Sequence, residues 1–244
     1  MLFNIRSIIS SCIELLYPKR CVACEKVLLK IEKDLGFCRE CSKKIRLVGQ
    51  DTCMRCGSPI ANPIDEYCNN CNRTTHHFQQ NKAVFRYEGR MKESMYRFKY
   101  SNRRCYGKVY ANQAAKLYGK WIRQKKIQAI IPVPMFRPKE KLRGYNQATV
   151  FAKELGKLTG IPVATDLILR NKETEAMKGL GRLKRKKNLL NAFTLTENEL
   201  QFRKVLVVDD IYTTGTTMDS VAKVLKSGGT TQIYGLCICI GEAQ

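Results

Sequence analysis

From residue 81 onward the apolar positions switch between two periods. Residues 82–87 read as a strand, and helical spacing follows over residues 91–100. A second helical pattern covers residues 106–123, with Ala114, Leu117, Tyr118 and Trp121 on one face. Residues 128–134 are an apolar strand. Residues 146–158 place apolar side chains at 148, 151, 152, 155 and 158, and Gly160 stops that helix. Residues 163–169 and 192–195 read as further strands. A strand over 204–209 is followed by a helix over 214–227, the stop Gly228-Gly229, and a last strand over 232–240. Strands alternating with helices predict a parallel sheet with helices on its faces, hence one doubly wound α/β domain over 81–244.

Residues 1–80 lack this alternation. Residues 2–16 are amphipathic in the helical period, but Arg6 and Glu14 interrupt the apolar stretch and no small-residue cleavage site follows. The expectation is a helix packed on the protein, with a weak membrane contact as the alternative. No run has the 18 or so apolar residues of a membrane span. Residues 17–80 form a small cysteine-rich module.

The most informative stretch is residues 205–217, VLVVDDIYTTGTT. Four apolar residues in succession suit a parallel strand covered on both faces. Asp209 and Asp210 stand at its carboxyl end, where open α/β sheets bind ligands. Thr213, Thr214, Gly215, Thr216 and Thr217 then offer hydroxyls and backbone N–H groups at a helix start, a ready anion site. Carboxylates for sugar hydroxyls beside a cradle for a phosphate point to a phosphorylated ribose. A plain acidic turn would need none of this chemistry.

Charge changes the picture. The chain has 244 residues and a formal net charge of +23. Residues 1–80 carry 12 basic and 8 acidic side chains; residues 81–244 carry 32 and 13. The positive field therefore belongs mainly to the C-terminal part. Such a field draws phosphates on nucleotides, nucleic acid or a membrane surface, and does not choose among them. The run 182–187, with Arg182, Lys184, Arg185, Lys186 and Lys187, is the most basic stretch. It reads as a solvated helix face, a nucleic-acid contact, or a hood over the phosphate site. Tyr96, Phe98, Tyr100 and Tyr106 interleave with basic residues, the composition of a surface that stacks bases and tracks a phosphate backbone. Lys99 is a candidate partner for either anion.

Eight of the 12 cysteines fall into four C-x-x-C pairs: Cys21/Cys24, Cys38/Cys41, Cys53/Cys56 and Cys68/Cys71. Two thiolates at this spacing reach one ion across a tight turn, and Zn²⁺ takes four tetrahedrally. One or two structural Zn²⁺ ions are expected, supplying folding free energy that so small an apolar core cannot. The halves read as a loose duplication. Spacing alone allows sequential sites or a cross-braced arrangement pairing 21/24 with 53/56. Disulfides do not suit a cytosolic chain. A surface or interface role is expected for His76 and His77, and core positions for Cys237 and Cys239.

The segment 205–217 resembles the phosphoribosyl pyrophosphate motif of type I phosphoribosyltransferases. The chain as a whole resembles the ComF/ComFC competence family through residues 16–24 (LYPKRCVAC), Phe98 with Lys99, 131–134 (IPVP), 143–147 (RGYNQ), 185–188 (RKKN) and 192–193 (AF). The resemblance implies a type I phosphoribosyltransferase-like domain behind a zinc ribbon, with the cysteines shared sequentially. It implies Mg²⁺ with phosphoribosyl pyrophosphate, and a loop over 135–144 whose Arg137, Lys139, Lys141 and Arg143 hold the pyrophosphate. Asn146 and Gln147 would lie near or behind that site. Thr174, Leu180, Arg185 and Asn188 fit the family pattern, whereas Met177 stands where the family carries a glutamine. The implied role is uptake of single-stranded DNA in natural transformation, together with other uptake proteins. The expected location is the cytoplasm, with the inner face of the membrane as an alternative. Two rivals remain: a working phosphoribosyltransferase with an unknown acceptor, and a zinc-ribbon nucleic-acid protein with a relic phosphoribosyl site.

Overall fold

A computed structural model describes residues 18–171, 192–196 and 201–241. The expected N-terminal helix and the basic run 182–187 lie outside the described residues, as do Thr174, Met177, Leu180 and Asn188.

Two ribbons open the described chain on one plan. In each, an antiparallel bridge closes a hairpin around the first pair: Arg20 with Val27, then Thr52 with Pro59. The Cys21 N–H donates to the Lys26 carbonyl at 2.8 Å, and the Cys53 N–H donates to Ser58 at the same distance. In each, the third cysteine precedes a short helix, α1 (Arg39–Lys44) after Cys38 and α2 (Asn69–Asn72) after Cys68. The duplication suggested by the spacing is thus a structural repeat. The residue after the second cysteine is left-handed in both, Glu25 at φ 63° and Gly57 at φ 75°. At Gly57 a side chain is doubly excluded, because a Cβ would lie 2.6 Å from the Asn81 carbonyl oxygen.

The main sheet follows. Strand β1 (Gln80–Arg86) leads through α3 (Gly89–Tyr100) and α4 (Tyr106–Gln124) to β2 (Ala129–Pro132). Then come α5 (Arg137–Arg143), α6 (Gln147–Thr159) and an antiparallel hairpin of β3 (Ile168–Arg170) with β4 (Phe193–Leu195). Strand β5 (Lys204–Tyr212), α7 (Thr216–Ser227) and β6 (Gln232–Ile240) complete it. Four strands pair in parallel in the order β1-β6-β5-β2. The predicted strand 163–169 splits. Val163 bridges Ile130 in parallel beside β2, and only Ile168 onward joins the hairpin.

Alternation along the strands divides the core in two. Leu206, Val208, Leu236 and Ile238 join the cluster that includes ribbon one (Cys21, Val22, Leu28, Phe37) and helices α3, α4 and α6. Val205, Val207, Ile233 and Cys237 join the cluster that includes ribbon two (Cys53, Cys56, Phe78), α7 and the β3–β4 hairpin. Cys237 and Cys239 are fully buried, as expected. On α4 the buried stripe runs through Tyr110, Ala111, Ala114 and Ile122. Leu117 points to solvent, while Tyr118 and Trp121 reach the edge of β1 to bond Ala83 and Gln80.

Both ribbons are tied to the sheet by buried polar contacts. Ser94 donates to the Val22 carbonyl and shares a hydrogen bond with the Tyr110 hydroxyl, and Asn81 donates to the Cys56 carbonyl at 2.9 Å. The segment joining the ribbons pairs along the outer edge of β1, with Val48 N–H on Val84 and Arg86 N–H on Arg46. Gly57→Ala is therefore expected to cost about 2 kcal/mol or more, from the left-handed backbone and the lost approach to Asn81. A denaturant midpoint indistinguishable from wild type would contradict this.

Candidate functional site

Strand β5 outruns its neighbour. Pairing with β2 stops at Pro132 opposite Val208, whereas pairing with β6 continues to Tyr212 opposite Ile240. Asp209 and Asp210 therefore sit where one flank of the strand has fallen away, which opens the crevice expected at the carboxyl edge of a parallel sheet. The strand was expected to end at Asp209; it runs three residues further because β6 is long enough to hold it.

The loop 213–217 folds back over this edge. Asp209 and residues 211–218 line a small, open concavity of about 20 Å³. Gly215 adopts φ 77° as the cap of α7, and a Cβ there would come within 2.2 Å of the Tyr212 hydroxyl. Only glycine fits. The Thr214 and Thr216 hydroxyls bond each other at 2.9 Å, and the Asp219 N–H closes the first turn on the Gly215 carbonyl. The start of α7 and Asp209 thus line one concavity, while Asp210, the next residue on the strand, turns to the opposite face.

The two carboxylates have different partners. Asp210 pairs with Lys99 at 2.8 Å, while Asp209 accepts the Asp210 backbone N–H at 2.8 Å. Burial and the neighbouring Asp210 charge push the Asp209 carboxyl up to about 7, against the pull of that N–H, Lys99 and Arg170. Burial alone would discharge Lys99, but Asp210 and then Asp209 outweigh it, so its pKa is raised and it stays charged. Lys99 therefore stands beside the carboxylates, paired with Asp210. Arg170, at the end of β3, was missed by the sequence reading. Burial lowers its pKa, and Asp209 is the charge that opposes this. A basic residue closing an apolar strand at the same edge was the available signal.

The segment after β2 differs from expectation. Residues 137–143 form the short helix α5 rather than an open loop, started by Pro138 near its N-terminus and ended by Gly144 at φ 85°. Arg137 and Lys141 are exposed, and Lys139 and Arg143 are half-buried. Among the described residues, none of the four forms an ion pair with Asp209 or Asp210. Arg143 instead lies over the Tyr100 ring at 4.8 Å and donates to Gln147 at 2.8 Å. Gln147 donates to the Phe98 carbonyl, and Asn146 donates to Val133 while capping α6. This pair knits the ends of β2 and α3 behind the site. Of the four interleaved aromatics, Phe98 and Tyr106 are core residues, which corrects half of that expectation. The i, i+4 stripe of α3 leaves only Tyr96 and Tyr100 outside, with ring centroids 4.9 Å apart.

The thiols form two sequential groups, Cys21/Cys24/Cys38/Cys41 and Cys53/Cys56/Cys68/Cys71, with the sulfurs of each within 4.8 Å of one another. The cross-braced alternative is absent. N–H groups aim at sulfur, from Cys56 to Cys53 and from Ser58 to Cys56. Four sulfurs at this separation, with donors turned toward them, fit a tetrahedral Zn²⁺ with no open position, a structural centre.

Fold, thiol groups and cradle together define a double-zinc-ribbon protein with a phosphoribosyltransferase domain. A family model for the double zinc ribbon domain matches residues 12–72, and one for the phosphoribosyl transferase domain matches residues 143–243. The chain is 32% identical to Competence protein F of Haemophilus influenzae, over 89% of this chain and 96% of that protein. It is 26% identical to Competence protein ComFC of Bacillus subtilis (84% and 83% covered) and 26% identical to the DNA utilization protein YhgH of Escherichia coli K12 (84% and 90%). The chain belongs to the ComF/ComFC competence-protein family.

Two outcomes follow from this geometry. Purified protein should contain close to two Zn²⁺ per chain by elemental analysis, and Cys41→Ser should lower that to one and reduce solubility. Reduced, metal-free protein of native stability would sink the first. The second concerns pH. A carboxyl raised from 3.8 to about 7 binds its proton more tightly in the folded state. Its stabilising contribution is present below the lower value and lost as pH rises through the upper one. Asp209→Asn should thus be more heat-stable than wild type above pH 7, and the gap should close as pH falls toward 4. Parallel melting curves for the two proteins across that window would refute it.

Proposed function

We propose that this protein binds phosphoribosyl pyrophosphate with Mg²⁺ at the crevice of β5 and acts on single-stranded DNA during its uptake. One observation carries the first half: on the unpaired flank of β5, Asp209 lines one concavity with a glycine-capped helix start, and Asp210 stands next to it on the strand. Asp209 and Asp210 would accept hydrogen bonds from the ribose hydroxyls. The N–H groups and hydroxyls of 213–217 would hold the 5-phosphate. Lys99 keeps Asp210 oriented and supplies a cation beside the sugar. Mg²⁺ would offset the charge of the diphosphate and would need few protein ligands. Arg143 and the other cations of α5 would meet the pyrophosphate if α5 moves toward the crevice.

The second half rests on the charge of residues 81–244, the exposed pair Tyr96 and Tyr100, and the relatives named for competence and DNA utilization. Basic surface tracks the backbone while aromatic faces stack bases. The place of action would be the cytoplasmic side of the membrane, with other uptake proteins as partners. No helix among the described residues is long and apolar enough to cross a membrane. A working transferase is the second reading. The Asp209 carboxyl near 7 suits a general base for an acceptor nucleophile. Turnover of phosphoribosyl pyrophosphate against a panel of acceptors distinguishes it from ligand sensing.

Phosphoribosyl pyrophosphate with Mg²⁺ should raise the melting temperature, since binding the native state alone stabilises by about 2.7 kcal/mol at a hundredfold excess over Kd. Asp209→Ala with Asp210→Ala should abolish the rise, as should Gly215→Val; an undiminished rise in the double variant would place the ligand elsewhere. Single-stranded DNA should bind with little sequence preference and a log–log salt slope of about −0.7 per phosphate neutralised. Alanine at Lys184, Arg185, Lys186 and Lys187 should flatten that slope by at most about 2.8. A steep slope identical in wild type and variant would move the DNA path off this segment.

A further inference from the structure

A buried side chain of ribbon two reaches the first turn of α7. His76 is 1% exposed at its side chain and lies between two polar partners of unlike origin. Its Nε2 is 3.5 Å from the Cys71 sulfur, and its Nδ1 is 2.6 Å from Asp219 Oδ2. The His77 backbone N–H donates to the other Asp219 oxygen at 2.8 Å. Asp219 belongs to the first turn of α7, and its own N–H holds Gly215, the cap of the cradle. An aromatic path runs alongside. Phe78 packs on His76 at 4.9 Å and meets Tyr212 edge-on at 6.4 Å, and the Tyr212 hydroxyl rests against Gly215 without a hydrogen-bond partner.

The repeat supplies an internal control. Five residues after the last cysteine, ribbon one carries Arg46 where ribbon two carries His76, and Arg46 faces Glu88 at 3.6 Å. Folding a ribbon on this plan does not require the histidine. The histidine instead connects the sulfur to α7. A sulfur bound to metal is fixed in position, and a group bonded to it inherits that order.

We propose that His76 and Asp219 are positioning residues that make the second Cys₄ centre part of the cradle. Metal held by Cys71 fixes His76, His76 and His77 fix Asp219, and Asp219 fixes where α7 begins. Loss of metal from this centre alone then releases the 213–217 loop, whereas loss from the first centre does not. Naming the loop a phosphate cradle rests on the proposed function; the mechanical link does not. By reciprocity, a ligand that orders the loop slows metal release from the second centre.

The test uses the full-length, zinc-loaded chain. Zinc release to a chromophoric chelator should resolve two ions, and His76→Ala and Asp219→Asn should each speed one of them by about tenfold or more and leave the other alone. Hydrogen exchange at the amides of 213–220 should rise by a similar factor in both variants, and in Cys68→Ser, which empties the second centre without touching the relay. Should Cys68→Ser fail to fold, Asp219→Asn carries the test, since it alters neither ribbon. Wild-type release and wild-type exchange in the His76 and Asp219 variants would overturn the proposal. In a third arm, phosphoribosyl pyrophosphate with Mg²⁺ should slow release in wild type and not in Asp219→Asn. No effect of that ligand on wild type, with release and exchange altered in the variants, would uphold the relay and count against the phosphoribosyl reading.

Discussion

Two carboxylates in succession on a half-buried strand are expensive to keep charged, and much of the crevice can be understood as the response. Lys99 comes from the end of α3 to pair with Asp210, and the strand's own N–H turns back onto Asp209. The charge of Arg170 reaches Asp209 from the neighbouring hairpin. Even so, Asp209 holds its proton to about 7. The fold retains a destabilising pair at the one place where β5 is unpaired on one flank. On the proposed reading, such a site needs acceptors already desolvated and aimed, and that requirement opposes stability.

The ribbons answer a different constraint. Each is too small to bury a core of its own, and the metal would take the place of that core. Yet neither ribbon is an appendage. One contributes Val22, Leu28 and Phe37 to the core on one face of the sheet, and the other contributes Phe78 to the core on the opposite face. The composition changes at residue 80, but packing and hydrogen bonds cross that point throughout. The positions of both thiol groups are therefore coupled to the sheet, and His76 is one of the contacts that join ribbon two to α7.

Local physics made several features legible in the chain alone. The pairs at Cys21/Cys24 and Cys53/Cys56 form hairpin turns because two intervening residues suffice for a tight turn, whatever surrounds it. The run 205–208 had to be a covered strand, since four adjacent apolar residues cannot all face one side. Gly215 was readable because a close backbone approach at a helix start leaves room for little else. The helices over α3, α4 and α6 followed from their period, as did the buried Cys237 and Cys239.

What the tertiary structure decided lies between residues far apart in the chain. The order β1-β6-β5-β2 brings Lys99 to Asp210 and His76 to Asp219, and no local period encodes a strand order. Spacing left sequential and cross-braced thiols open, because both satisfy the same turns; only the packing of each ribbon on its own face separates them. Periodicity placed Phe98 and Tyr106 among basic residues, yet helix packing sends them inward and leaves Tyr96 and Tyr100 outside. The family resemblance implied a loop over residues 135–144, but Pro138 near the start and Gly144 at the end close a helical turn there. In each case the sequence specified the chemistry of a side chain, and the pairing of distant strands and helices determined what it meets.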